Sequence, residues 1–408
     1  MTTPSLTRGQ LVAMAVTTGT TIANLYYAQP ILAQIGASFG TSAAGVGHLP
    51  ALTQVGMALG ILFVAPLGDM LDRKRLVVML EVALALALFA LAGARGIAMA
   101  GSLSLVIGVL TVAVQIVVPM AASLSAPSDR GRVVGTVFTG TLIGILGSRI
   151  ISGLLADRIG WRGVYMSSGV VALGMALLVA VILPAQAGQH RDGYRALLGS
   201  TARQLARFAE LRRLSLLGAL IFAAFCCFWT ILTLDLSGAP FHFGSDRIGL
   251  FGFVAIGGTL AAPWFGRQAD RASPQRAQVL TTALLVAGSA AAALFPSSLA
   301  MLVIATFLID VGVQGTQVSN LAQLYGLDEA AHSRINAALM TIFFAGGAIG
   351  TTSGVFAWRT GGWPLAGGTL LFWSIIALVT AAFHHRASRN DGSPNGTEGQ
   401  ATALGSIR

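Results

Sequence analysis

Twelve apolar runs of about 20 residues each, separated by short polar stretches, dominate this chain. As a helix, a run of that length crosses the roughly 30 Å hydrocarbon core of a bilayer. In lipid every backbone polar group must be satisfied within the protein, so a chain of such runs folds as a bundle of membrane helices. The runs fall near 11–34, 45–67, 76–96, 98–120, 133–155 and 162–184, then 214–236, 247–266, 277–296, 298–322, 336–357 and 364–383. Only 10% of the residues are charged, against about 25% for a soluble domain, which excludes a soluble globular enzyme. The first run is longer than a signal-peptide core and carries Asn24, Tyr26, Tyr27, Gln29 and Pro30, so it reads as a retained span.

The net charge of +10 is distributed as membrane topology requires and not as a nucleic-acid surface. With the N-terminus in the cytoplasm, 19 of the 25 basic residues lie on that side and five on the other, leaving Arg149 inside the fifth span. This asymmetry predicts cytoplasmic N- and C-termini. The expected organisation is a six-helix bundle over 1–184, a cytoplasmic linker over 185–213 with one amphipathic surface helix, a second bundle over 214–384, and a disordered cytoplasmic tail over 385–408.

The two halves repeat one another. Gly68 and Asp72-Arg73 after span two match Gly266 and Asp270-Arg271 after span eight at an offset of 198; Val114-Gln115 matches Val313-Gln314 at 199, and Ser152-Gly153 matches Ser353-Gly354 at 201. Near-equal offsets in order imply two bundles related by an axis along the membrane normal, with a substrate site between them near the midplane.

On these residues the chain resembles the major facilitator superfamily from about residue 11 to 384. Gly68, Asp72, Arg73 and Arg75 approach the family's loop signature G-x-x-x-D-R-x-G-R-[RK] without its second glycine. The stretches Gly153–Arg162, Asn24–Pro30 and Phe344–Gly347 are similar to bacterial drug, sugar or nucleoside efflux carriers. The resemblance implies an all-α fold of twelve transmembrane helices in two pseudo-symmetric bundles, working by alternating access. It further implies proton-coupled efflux of a small organic solute; import or uniport on the same fold, or a non-transporting membrane sensor, are the alternatives. Drug antiporters of the family carry an arginine three residues before the span-four glutamine; here that position is Val112, so no coupling role transfers to it.

Ionisable residues inside a span are functional candidates because a charge at the bilayer centre costs about 2.5–3.5 kcal/mol. Asp310 lies mid-way along span ten, with Gln314 and Gln317 at i+4 and i+7 on the same helix face. Such a stripe faces a cavity, where the carboxylate can bind and release a proton, or it bonds to a neighbouring helix. Arg149, in Gly144-Ile-Leu-Gly147-Ser-Arg149, either holds an anionic substrate, biases a carboxylate, or locks one conformation; a fixed ion pair is the structural alternative. Glu81 is expected in an interfacial ion pair. Asn24, Tyr27, Gln54 and Gln115 add uncharged polar groups, and Phe225 and Trp229 at i, i+4 offer aromatic surface, together the makings of an adaptable pocket.

Gly68, Asp72 and Arg73, with Asp270 and Arg271, read as a conformational latch in which Asp72 caps a neighbouring helix or pairs with Arg130 or Arg132. The adjacent Cys226 and Cys227 have no metal-ligand spacing, Lys74 has no upstream phosphate-binding glycines, and no nucleophile, base and orienter recur, so no cofactor, metal or enzymatic activity is expected. The expected partners are a small-molecule substrate, protons and lipid, with no nucleic acid, and the protein is expected to act as a monomer.

Overall fold

A computed structural model describes residues 6–126, 128–186, 193–270, 273–324, 326–328 and 331–391, without the side chains of 259–270, 332 and 387–391. The helices are α1 (Arg8–Ala23), α2 (Leu32–Ser38), α3 (Leu49–Leu59), α4 (Leu67–Met70), α5 (Arg73–Ala92), α6 (Ile97–Leu110) and α7 (Ala113–Ser123). They continue with α8 (Arg130–Ile182), α9 (Tyr194–Arg207), α10 (Ala209–Ser237), α11 (Ser245–Asp270), α12 (Pro274–Leu294), α13 (Leu299–Leu324) and α14 (His332–Asp391).

Local sequence starts and stops these helices. Thr7 and Gln10 form a capping box at the head of α1, each side chain accepting from the other's backbone N–H at 3.2 and 3.0 Å. Asn24 ends α1 by donating its amide to the carbonyls of Thr20 and Thr21, at 3.1 and 3.0 Å. That side chain takes up carbonyls the helix end would leave free, and the chain then passes through a turn and a 3-10 segment over Gln29–Ile31 before α2.

Among the described residues eight stretches are long and apolar enough to cross a membrane, and two of them, within α8 and α14, are far longer than one crossing requires. Each reverses at a left-handed glycine, Gly160 (φ 72°) and Gly362 (φ 62°). Contacts with the first span establish the reversal in α8. Before Gly160, Val137 accepts from Thr18 and Arg149 meets Gln29, so the two segments ascend together. After it, Ser168 bonds Asn24 and Met175 meets Thr17, so they run in opposite senses. In α14, Trp373 donates to Ser353 at 3.0 Å straight across Gly362. Counting each reversed helix as two passes, and adding the broken first span (α1 with α2) and α11, the helices account for twelve crossings.

The halves pack alike. Gly19 of α1 lies against the backbone of Gly140 and Gly144 on α8, where a Cβ on any of the three would strike main chain. In the second half Gly346 and Gly350 of α14 meet Ala219 and Ala223 of α10 in the same way. Small residues at such crossings are how membrane helices gain contact where no hydrophobic effect operates between them.

At the end of the bundle away from the termini, the halves close on each other. Gly153 of α8 abuts the backbone of Ser245 and Gly249 on α11, and Gly47 abuts Val355. At the opposite end, where Arg8 and Arg386 lie, a cavity of about 80 Å³ opens between Gly68, Arg73, Gln115 and Pro119 of the first half and Ser333 and Asn336 of the second. Helix α9 runs beneath it, contributing Leu197 and Thr201. It is tied to the first half by Tyr194 Oη donating to the Phe63 carbonyl at 2.7 Å, and to the second by Arg207 and Asp328 at 3.0 Å.

Candidate functional site

The centre of the site is Arg149, fully buried on α8 where it faces the second half. Its Nε donates to Gln29 Oε1 at 2.9 Å, and Nη1 reaches the Ile145 carbonyl at 3.3 Å. Around the guanidinium stand three aromatic rings: Trp229 with its centroid 4.1 Å from Cζ, Tyr26 at 4.9 Å and Phe225 at 5.5 Å. Two of those rings come from α10 and one from the broken first span, so the cage draws on both halves. Such faces stabilise a cation by about 0.5–2 kcal/mol each, which offsets part of the cost of holding Arg149 away from water.

Asp310 is the second charge. It lies near the middle of α13, wholly buried, with neither carboxylate oxygen hydrogen-bonded among the described residues. Gly258 of α11 makes room for it: a Cβ there would stand 2.9 Å from that of Asp310. Arg149 and Asp310 interact electrostatically, yet no ion pair within 4.0 Å joins them. Three donors at the guanidinium and beside it are also unpaired among the described residues: Arg149 Nη2, Gln29 Nε2 and Trp229 Nε1. Buried polar groups without partners are rare, and a cluster of them calls for a specific explanation, such as a ligand, an ion, a bound water or a moving proton.

The family model described as Major Facilitator Superfamily matches residues 12–351. The chain belongs to the Major Facilitator Superfamily. It is 36% identical over 397 residues to the uncharacterized transporter YgaY of Escherichia coli O157:H7, covering 96% of this chain and all of that one. It is 30% identical over 376 residues to "Probable transporter SCO4007" of Streptomyces coelicolor, covering 90% of this chain and 87% of the relative. The fold matches the crystal structure of a bacterial homolog to the human lysosomal transporter Spinster with a TM-score of 0.72, at 13% identity, over 93% of this chain and 96% of that one. The protein is therefore a multi-pass membrane transporter of the superfamily's kind.

Within this superfamily member, the residues singled out in the sequence are not all in one place. Phe225 and Trp229 stand at Arg149. Tyr27 does not: it packs against an apolar cluster of the first half that includes Trp161 and Tyr165, and its neighbour Tyr26 supplies the ring at the cage. Asn24 is spent on the end of α1 and accepts from Ser168 at 2.7 Å. Gln54 is buried with both amide atoms unpaired, and Gln115 lines the cavity at the terminal end. On α13, Gln314 is half-buried, and Gln317 lies 4.0 Å from Met340 Sδ with its Oε1 unpaired.

Glu81 departs from its expected ion pair. It is buried inside the first half, accepting from Thr21 Oγ1 at 2.5 Å, with Oε2 unpaired. Six residues separate it from Arg75, which turns the two onto different faces of α5.

Asp72 caps its own helix, accepting from Arg75 N at 2.8 Å, and its other oxygen accepts from Gln186 N at 3.0 Å. It therefore holds the end of its own half and not Arg130 or Arg132, the latter lying 3.6 Å from Asp129. Arg73 binds the Gly68 carbonyl, Asp69 and Ser123 while facing the cavity. Arg271 and the side chain of Asp270 lie outside the described residues, as does the tail from residue 392.

Two contributors, Tyr26 and Gln29, are missed by sequence reasoning. The only signal for them is the run Asn24–Pro30 itself, whose polar and ring-bearing residues crowd a span.

Proposed function

We propose that the protein is a secondary active transporter of the bacterial inner membrane that moves a small organic solute by alternating access, driven by proton binding at Asp310. One observation carries this reading: a wholly buried carboxylate in mid-span of the second half, with both oxygens unpaired among the described residues, interacts electrostatically with the caged arginine of the first half. A group so placed gains or loses its charge when the bundle exposes it to one side or the other. The tight closure through Gly153 and Gly249, opposite an open cavity, supports rocking of 1–184 against 214–384 about the centre. The terminal end, with 19 of 25 basic residues, is assigned to the cytoplasm.

The stretches that resemble efflux carriers favour export in exchange for protons. A second reading, in which solute and proton move together, is favoured by Arg149: Asp310 is the one carboxylate among the described residues whose charge acts on the arginine, and once Asp310 is neutral no other carboxylate offsets it.

Everted membrane vesicles without an imposed gradient separate the two. Drugs, sugars, nucleosides and carboxylates are added outside while a dye reports the lumenal pH. Exchange makes the lumen more alkaline and co-movement makes it more acidic. No response to any solute overturns proton-coupled transport.

A further inference from the structure

The polar valence left at the centre is unequal, and this bears on what binds there. The three aromatic faces that would suit a cationic solute are already occupied by the protein's own cation, Arg149. Within the cage itself, what remains free among the described residues is a set of donors, Nη2 of Arg149, Nε2 of Gln29 and Nε1 of Trp229, while the unpaired oxygens of Asp310 lie beyond ion-pair distance of the guanidinium. The donors belong to one locus, because Gln29 is bonded to the arginine at 2.9 Å and the Trp229 ring centroid lies 4.1 Å from its Cζ. All three side chains are more than nine-tenths buried.

Resting on the reading that the solute binds between the halves at this centre, we infer that the transported solute is an organic anion, a carboxylate on an apolar or aromatic body. The carboxylate binds Arg149 Nη2 with support from Gln29 and Trp229, and the body lies against the parts of Tyr26, Phe225 and Trp229 that the guanidinium leaves uncovered. Charge-assisted bonds of this kind are roughly twice as strong as neutral ones.

The assignment also sets the order of coupling. A centre holding ionised Asp310 and Arg149 is neutral, and a centre holding neutral Asp310, Arg149 and a bound anion is neutral. The two mixed states carry one net charge at the middle of the bilayer, which is costly. Only the empty and the doubly loaded forms therefore cross readily, and proton and anion travel together. The repeat shows how this charge pair is built asymmetrically: Asp310-Val-Gly-Val-Gln314 of the second half stands where the first half has Thr111-Val-Ala-Val-Gln115.

The test is calorimetric binding to the full-length protein in lipid nanodiscs, using benzoate, benzamide and benzylammonium as a matched anion, neutral and cation set. Indole-3-acetate and 2-naphthoate extend the anions. The expected result is binding of at least one carboxylate, with benzamide about tenfold weaker or more and no heat from benzylammonium. Arg149→Gln weakens the carboxylate by about tenfold or more, and Trp229→Phe, which keeps a ring and deletes one donor, by about threefold. Asp310→Asn, which leaves Arg149 uncompensated, tightens it.

Tighter binding of benzylammonium, weaker carboxylate binding in Asp310→Asn, or no heat from any carboxylate overturns the inference. Anion binding in this pattern without proton movement in vesicles sinks the transport reading and leaves the anion site standing. Proton movement with cationic or neutral solutes alone does the reverse.

Discussion

Adding one methyl group at Gly249 should open the end of the transporter that the structure shows closed. A Cβ on Gly249 would lie 2.7 Å from the Arg149 carbonyl oxygen and 3.3 Å from Gly153 Cα, both main-chain atoms of the other half that cannot rotate away. Forced overpacking of this kind costs about 1–3 kcal/mol. Because the contact exists only where the halves meet, the cost falls on the closed form and not on either half alone. A shift of that size changes the ratio of closed to open forms by roughly 5–150-fold.

Spin labels at Arg158→Cys and Arg359→Cys, exposed positions near the reversals of α8 and α14, report the separation of the halves at that end. Gly249→Ala should move the distance distribution toward longer values. Gly144→Ala, whose methyl would strike the Gly19 backbone inside the first half, should lower thermal stability and leave the distances alone. Gly174→Ala, in mid-helix with nothing within 4 Å, should leave the distances alone and not lower thermal stability. Unchanged distances in Gly249→Ala, or an equal change in Gly144→Ala, refute the reasoning that the α8–α11 contact is the closing surface.

Two further outcomes follow from buried partners. Thr21→Val removes the only hydrogen-bond partner that Glu81 has among the described residues and should cost about 1–3 kcal/mol; a double-mutant cycle with Glu81→Leu, read by thermal unfolding in detergent, should recover a good part of that loss. Asp72→Ala gives up the α5 cap and the bond to Gln186, an expected loss of about 1–2 kcal/mol, with solute binding at the central site unchanged by calorimetry.

How much of this could be seen in the chain itself depends on helical phase. The spans, their pairing in repeats and the ionisable residues inside them follow from run length and spacing, and Phe225 and Trp229, on one unbroken helix, keep their i, i+4 relation in the folded protein. The first span loses that guide at Asn24. Its side chain ends α1, the following turn resets the direction of each side chain, and Tyr26 rather than Tyr27 reaches Arg149.

Glu81 escapes for a different reason. Its position near the basic cluster Arg73-Lys74-Arg75 suggests a surface pair, and only the approach of α1 reveals Thr21 as its partner. The relation of Arg149 to Asp310 is tertiary altogether, since 161 residues separate them along the chain and α11 packs against both of their helices.

The central claim is that Asp310 carries the proton while Arg149 holds the solute. It is tested most directly in proteoliposomes by comparing wild type and Asp310→Asn in two measurements on the same preparation: solute-driven proton movement, and exchange of labelled for unlabelled solute at equal concentration on both sides. The account predicts that wild type performs both, and that Asp310→Asn keeps the exchange and loses the proton movement. Proton movement that survives in Asp310→Asn, or exchange that disappears with it, would contradict the assignment.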